Sequence, residues 1–170
     1  MALDGFVYLA ETSGAAANFS FTSIPSGYVD LVMRGSVQSA TGAFTQTADM
    51  RCNGDTGSNY DQFFFGTNGS TTTTYSSETA AQASGTLGVC GGSYLGTWTA
   101  EWETYISGYD DSSSYTTWVT RCGMGGGASG YNVNAFAGGI WRNTATVTSL
   151  TSVNLNQDAD TRILLFGRRI

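Results

Sequence analysis

The feature that most constrains this chain is alternation. Its apolar residues fall in short runs with a period of two, the spacing of a half-buried strand, and clusters of Gly, Asn or Asp separate the runs. In residues 96–106, Trp98, Ala100, Trp102 and Ile106 share one face while Glu101, Glu103 and Tyr105 share the other. One side is therefore core and the other wet. About ten such segments recur along the chain, a number typical of a sandwich or jelly roll. No stretch combines helical periodicity with capping residues. At 170 residues and 41% hydrophobic, the chain has the size of one domain with a real core, so the expected fold is an all-β, single-domain antiparallel β-sandwich over 1–170.

The predicted strands are 6–11, 18–24, 28–37, 43–52, 60–66, 96–106, 115–122, 131–141, 146–155 and 161–166. In the second, Phe19 and Phe21 share a face, and Pro25-Ser26-Gly27 stops it. In the third, Val29, Leu31 and Met33 oppose Asp30, Val32 and Arg34. The run Phe63-Phe64-Phe65 calls for burial on both faces or for contact with another subunit. At about 67–86 the large apolar residues disappear except Tyr75, and Thr, Ser and Ala take over, which predicts a long exposed loop or irregular arm. A glycine cluster at 123–130 predicts a flexible loop or a close-contact turn.

Composition narrows the function. There is no lysine or histidine, charged residues make up 12% of the chain, and the net charge is −6. Phosphate binding rests on clustered Lys and Arg, so neither nucleic acid nor an anionic membrane is an expected partner. Without histidine, Ser-His-Asp and Cys-His catalysis are lost along with the commonest zinc ligand. Cys52, Cys90 and Cys122 are too scattered for a CxxC zinc pattern and odd in number, so they read as buried thiols, with one disulfide plus a free thiol as the alternative. No cofactor and no metal is expected. The chain shows no export signal and no apolar run of membrane-spanning length.

Three groups of residues merit weighing as sites. Glu101 and Glu103 lie two apart on a strand, share a face, and could serve a glycosidase as acid and nucleophile. The familiar sandwich signature, however, is Glu-x-Asp-x-x-Glu, and here its third acid is missing, so a solvated row of charge is the simpler reading. Asn53, Asp55, Asn59 and Asp61 offer oxygen ligands, but they lack the alternation of a calcium loop. The segment Asn53-Gly54-Asp55-Thr56-Gly57-Ser58-Asn59-Tyr60 is instead what a structural turn requires, because Asn and Gly tolerate positive φ. Most of the aromatic residues alternate in phase with the core. Tyr109 and Tyr115, flanking a polar run, are the better candidates for exposed contact, although even for these a loop aromatic packed on its own loop is the simpler reading.

Several passages resemble a group of tailed-phage virion proteins: capsid decoration (cement) proteins, head fibres and tail-fibre domains. They are residues 21–31 (Phe-Thr-Ser-Ile-Pro-Ser-Gly-Tyr-Val-Asp-Leu), the 51–60 turn with its Asn-Gly-Asp-Thr-Gly-x-Asn-Tyr core, residues 140–150, and the closing Leu165-Phe166-Gly167. The resemblance implies a β-sandwich, often jelly-roll-like, that oligomerises on a virion and has no catalytic residues. A compact module without a coiled-coil or repeat shaft fits a decoration protein on the capsid surface better than a long fibre. Its implied partners are the major capsid protein and copies of itself as a homotrimer. The alternative is a receptor- or carbohydrate-binding module of a fibre or spike, which would take a glycan. The terminal Arg168 and Arg169 would either anchor the chain to an acidic surface or be solvated. Together with Phe63, Phe64, Phe65, Tyr109 and Tyr115 they form the candidate interface set.

Overall fold

The structure is a computed structural model that describes residues 5–68, 73–93, 98–125 and 132–169. Twelve strands run through the described residues: β1 (Phe6–Ser13), β2 (Ser20–Phe21), β3 (Asp30–Val37), β4 (Thr45–Cys52), β5 (Tyr60–Asn68), β6 (Thr73–Gln82), β7 (Gly85–Gly91), β8 (Ala100–Ser107), β9 (Thr116–Met124), β10 (Val133–Trp141), β11 (Leu150–Val153) and β12 (Arg162–Arg168). They form an antiparallel eight-stranded sheet, β1-β12-β3-β8-β9-β10-β5-β6, and a four-stranded sheet, β2-β11-β4-β7. The all-β sandwich expected from the alternation is what the chain adopts.

Setting aside the pairs β5–β6 and β9–β10 leaves two four-stranded sheets, β1-β12-β3-β8 and β2-β11-β4-β7. In this frame β1 pairs with β12, β2 with β11, β3 with β8 and β4 with β7. That is a long nested hairpin rolled into a sandwich, the jelly-roll arrangement. The two extra pairs extend one sheet past β8. Their strands bond in the order β8-β9-β10-β5-β6, so the sheet is twice as wide as its partner.

The core lies between the sheets. On β8 the burial alternates as the sequence predicts, with Ala100, Trp102, Thr104 and Ile106 inward. Burying these side chains supplies the main driving force, at ~25 cal/mol per Å² of apolar surface. Three tryptophans also clasp the layers polar-to-polar. Trp102 Nε1 donates to Val89 O (2.8 Å), Trp118 Nε1 to Thr86 O (2.9 Å), and Trp141 Nε1 to Asp55 Oδ2 (2.7 Å). Each buried indole N–H thus has a partner, as burial requires.

Four expectations are corrected. Most of the segment predicted as a loop or arm at 67–86 is strand β6 followed by the start of β7. β6 pairs with β5, and its residues 76–82 are exposed. Such an edge strand is held by backbone hydrogen bonds and Thr propensity, so it needs no apolar face to declare itself. β7 went unpredicted because glycines interrupt it, yet every residue in it is buried. A Cβ on Gly85 would stand 2.2 Å from the Trp118 ring, so the small residues make room for the tryptophans. On β3, Val32 is as buried as Leu31, whereas Val29 precedes the strand and is exposed. Of the glycine cluster predicted as a loop, Gly123 and Met124 are the end of β9, and 126–130 lie outside the described residues.

Candidate functional site

The Asn53–Tyr60 segment is a structural turn. Asn53 (φ 53°) and Gly54 (φ 66°) both take positive φ, and Asp55 N–H donates to Cys52 O (3.0 Å), which makes an Asn-Gly type I′ turn. The Asn53 side chain staples it to the segment before β11, donating to Thr146 O (2.9 Å) and accepting from the N–H groups of Thr148 (2.8 Å) and Ser149 (3.1 Å). Asp55 accepts from Gly57 N–H (2.8 Å) and Asn59 Nδ2 (2.8 Å) in addition to Trp141. Burial pushes the Asp55 carboxyl upward, but the hydrogen bonds from Trp141, Asn59 and Gly57 outweigh it and hold its pKa below the ordinary value. Tyr60 is fully buried, and its hydroxyl accepts from Cys52 N–H (3.0 Å). The side-chain oxygens of Asn53 and Asp55 weighed as cation ligands are thus occupied within the fold, and Asp61 accepts from Ala81 N–H (2.9 Å) and pairs with Arg142 (3.3 Å). Thr56 is exposed.

The outward face of the eight-stranded sheet carries the side chains that can meet a partner. One row crosses it in register: Arg34 (β3), Glu103 (β8), Arg121 (β9), Phe136 (β10) and Phe65 (β5). Glu103 sits between the two arginines, Oε1 to Arg34 (2.7 Å) and Oε2 to Arg121 (2.6 Å). Glu101 accepts from Ser36 Oγ (2.7 Å). Both carboxylates therefore project from one face, as predicted, and each has protein partners, with both oxygens of Glu103 committed to ion pairs.

Past Arg121 the face turns apolar. Phe63, Phe65, Val119, Phe136 and Ile140 are each 38–51% exposed. The Phe63 ring lies over Gly138, where a Cβ would meet it at 2.8 Å. These five side chains present roughly 400 Å² of apolar surface, taking ~150–250 Å² for a whole aromatic residue. That is the size of the largest patch on a typical monomer, and such patches are often functional. All five stand on β5, β9 and β10, within the pairs that extend the jelly roll.

The predicted interface residues divide. Phe63 and Phe65 are exposed, whereas Phe64 points inward and is buried, as alternation within one strand dictates. Tyr115 is exposed. Tyr109 is a correction. It is fully buried, donating from its hydroxyl to Pro25 O (3.0 Å) and accepting from Tyr28 N–H (3.2 Å), so it pins the 25–28 turn rather than displaying a ring. Arg168 pairs with Asp30, and Arg169 lies over the Tyr28 ring (5.4 Å), so both have partners within the chain. Val119, Phe136 and Ile140 were missed. Val119 and Phe136 alternate with buried neighbours and Ile140 precedes the buried Trp141, and the strand pattern alone does not say that the wet face stays apolar.

The cysteines are three buried free thiols. Burial pushes Cys52 and Cys90 up to about 12 and raises Cys122 as well. No family model, no curated protein and no solved structure matches this chain.

Proposed function

We propose that this chain is a non-enzymatic structural protein of a phage virion, a capsid decoration protein that docks on the shell and on copies of itself. The observation that carries the reading is the apolar strip Phe63, Phe65, Val119, Phe136 and Ile140, set on strands added to one side of a jelly roll. Apolar surface in water favours burial against a partner, and a stable interface of ~800 Å² per partner needs this strip plus a polar rim. The ion pairs around Glu103 supply such a rim on one side, and Asp61 and Glu78 flank the other. The phage-like passages support the same assignment, with the major capsid protein as the partner. Nucleic acid and membrane lipid are not partners in this reading, because the net charge is −6 and five of the seven arginines are paired with carboxylates rather than clustered for phosphate.

Imaging the parent virion tests the placement. Density for this fold on the capsid surface is the expected result, and density on the tail alone would refute it in favour of a fibre or spike module. The strip itself is tested by sedimentation of purified protein and by capsid binding with the Phe63→Ser, Phe65→Ser double variant. The variant folds normally but loses association. Unchanged association would remove the strip from the interface.

A further inference from the structure

We propose that the slot over Gly123, on the same outward face, is a binding site for one pyranose unit of a neutral saccharide. This goes beyond the virion reading; because the slot shares Phe136 and the Glu103 ion pairs with the docking strip, it describes a copy whose strip is uncovered, and a docked partner and the sugar would compete for it.

The slot follows from the register. Glu101 on β8 stands opposite Gly123 on β9, which stands opposite Asn134 on β10, and all three face outward. Gly123 puts no side chain into the row. Neighbouring strands are ~4.8 Å apart, so the backbones of Glu101 and Asn134 stand about 10 Å apart across Gly123, and the Asn134 amide leans inward, its Oδ1 3.2 Å from where a Gly123 Cβ would stand. The groove has a volume of about 460 Å³, and its next row holds Arg34, Glu103, Arg121 and Phe136.

Its chemistry suits a sugar. A pyranose shows a flat patch of C–H groups and a rim of vicinal hydroxyls, each a donor and an acceptor. Phe136, 51% exposed, offers the flat apolar surface beside the slot. Asn134 offers an amide donor and acceptor, and Glu101, anchored by Ser36, adds a carboxylate acceptor. Each guanidinium has five N–H donors in a planar fork, so Arg34 and Arg121 keep donors beyond those facing Glu103 while that ion pair holds them in place. Convergent polar groups beside one exposed aromatic ring give the slot both kinds of contact that a small-ligand site uses.

Charge selects within the class. The positive Arg34 and Arg121 balance the negative Glu101 and Glu103, so the slot itself favours neither ion, while the net charge of −6 repels acidic glycans. The same ion pairs hold both oxygens of Glu103, which suits binding a sugar rather than cleaving it.

The test is a glycan array carrying neutral and acidic glycans, probed with the wild-type protein and with Gly123→Val, followed by calorimetry on the best ligand. Gly123 does not have a positive φ, and an added Cβ would meet the Asn134 Oδ1 atom at 3.2 Å, the far end of a side chain that can move, and Val133 O at an ordinary contact distance of 3.9 Å. Valine also suits a strand. The expected result is saturable binding to a neutral glycan, weakened at least about tenfold, or ~1.4 kcal/mol, by Gly123→Val. Phe136→Ala weakens it as well and serves in its place if the valine variant does not fold. Absence of binding, binding confined to sialylated or uronate glycans, or binding unchanged by the tested variant would overturn the proposal.

Discussion

Removing the Asp55 carboxylate tests how the Asn53–Tyr60 turn is held. Asp55 accepts three hydrogen bonds, at 2.7–2.8 Å, from Trp141 Nε1, Asn59 Nδ2 and Gly57 N–H. Asp55→Ala leaves the indole N–H of a side chain only 1% exposed without its acceptor, at a cost of ~1–3 kcal/mol. The two other bonds are nearer solvent and add ~0.5 kcal/mol each at the low end of the usual range. The variant is therefore expected to lose about 2–4 kcal/mol at pH 7, read by urea unfolding with tryptophan fluorescence as a lowered midpoint at unchanged slope. Asp55→Asn keeps one acceptor oxygen and should lose about half as much. The pH dependence has a defined sign. Because the folded pKa lies below the ordinary 3.8, the carboxylate's contribution is fully present above the unfolded value and is lost as pH falls through the folded one. The gap between wild type and Asp55→Asn should thus be flat from about pH 5 to 8 and narrow below about pH 4. A loss for Asp55→Ala of less than ~0.5 kcal/mol, the scatter of ordinary surface substitutions, would refute the account.

Gly85→Ala places a methyl group 2.2 Å from the Trp118 ring and should cost ~1–3 kcal/mol by overpacking, measured as a lowered Tm. The three buried thiols should resist Ellman's reagent at pH 8 in the native protein and all react in guanidinium; rapid native labelling would contradict the burial. Glu103→Gln removes two ion pairs whose arginine side chains are 48% and 70% exposed, so the loss should be only ~1 kcal/mol and shrink as salt is raised.

The sequence by itself determined what local stereochemistry and periodicity govern. Alternation on β8 assigned Trp102 and Ile106 to the core and Glu101 and Glu103 to the opposite face, because successive side chains of a strand point to opposite sides whatever lies beside them. Asn53-Gly54 specified its turn because those residues reach positive φ at little cost. What depends on which strand lies beside which was decided only in the tertiary structure. β6 exists because β5 offers it an edge, and β7 is buried because Trp102 and Trp118 reach across to its carbonyls. That Tyr109 packs under the 25–28 turn, which closes over its hydroxyl, rather than meeting a partner was settled only by the fold. The candidate site shows the same division. Its carboxylates and Phe63 and Phe65 were legible, but the Arg34–Glu103–Arg121 bridge, the apolar strip and the gap at Gly123 arise from cross-strand register. Register is a pairing between residues distant in sequence, and no local pattern records it.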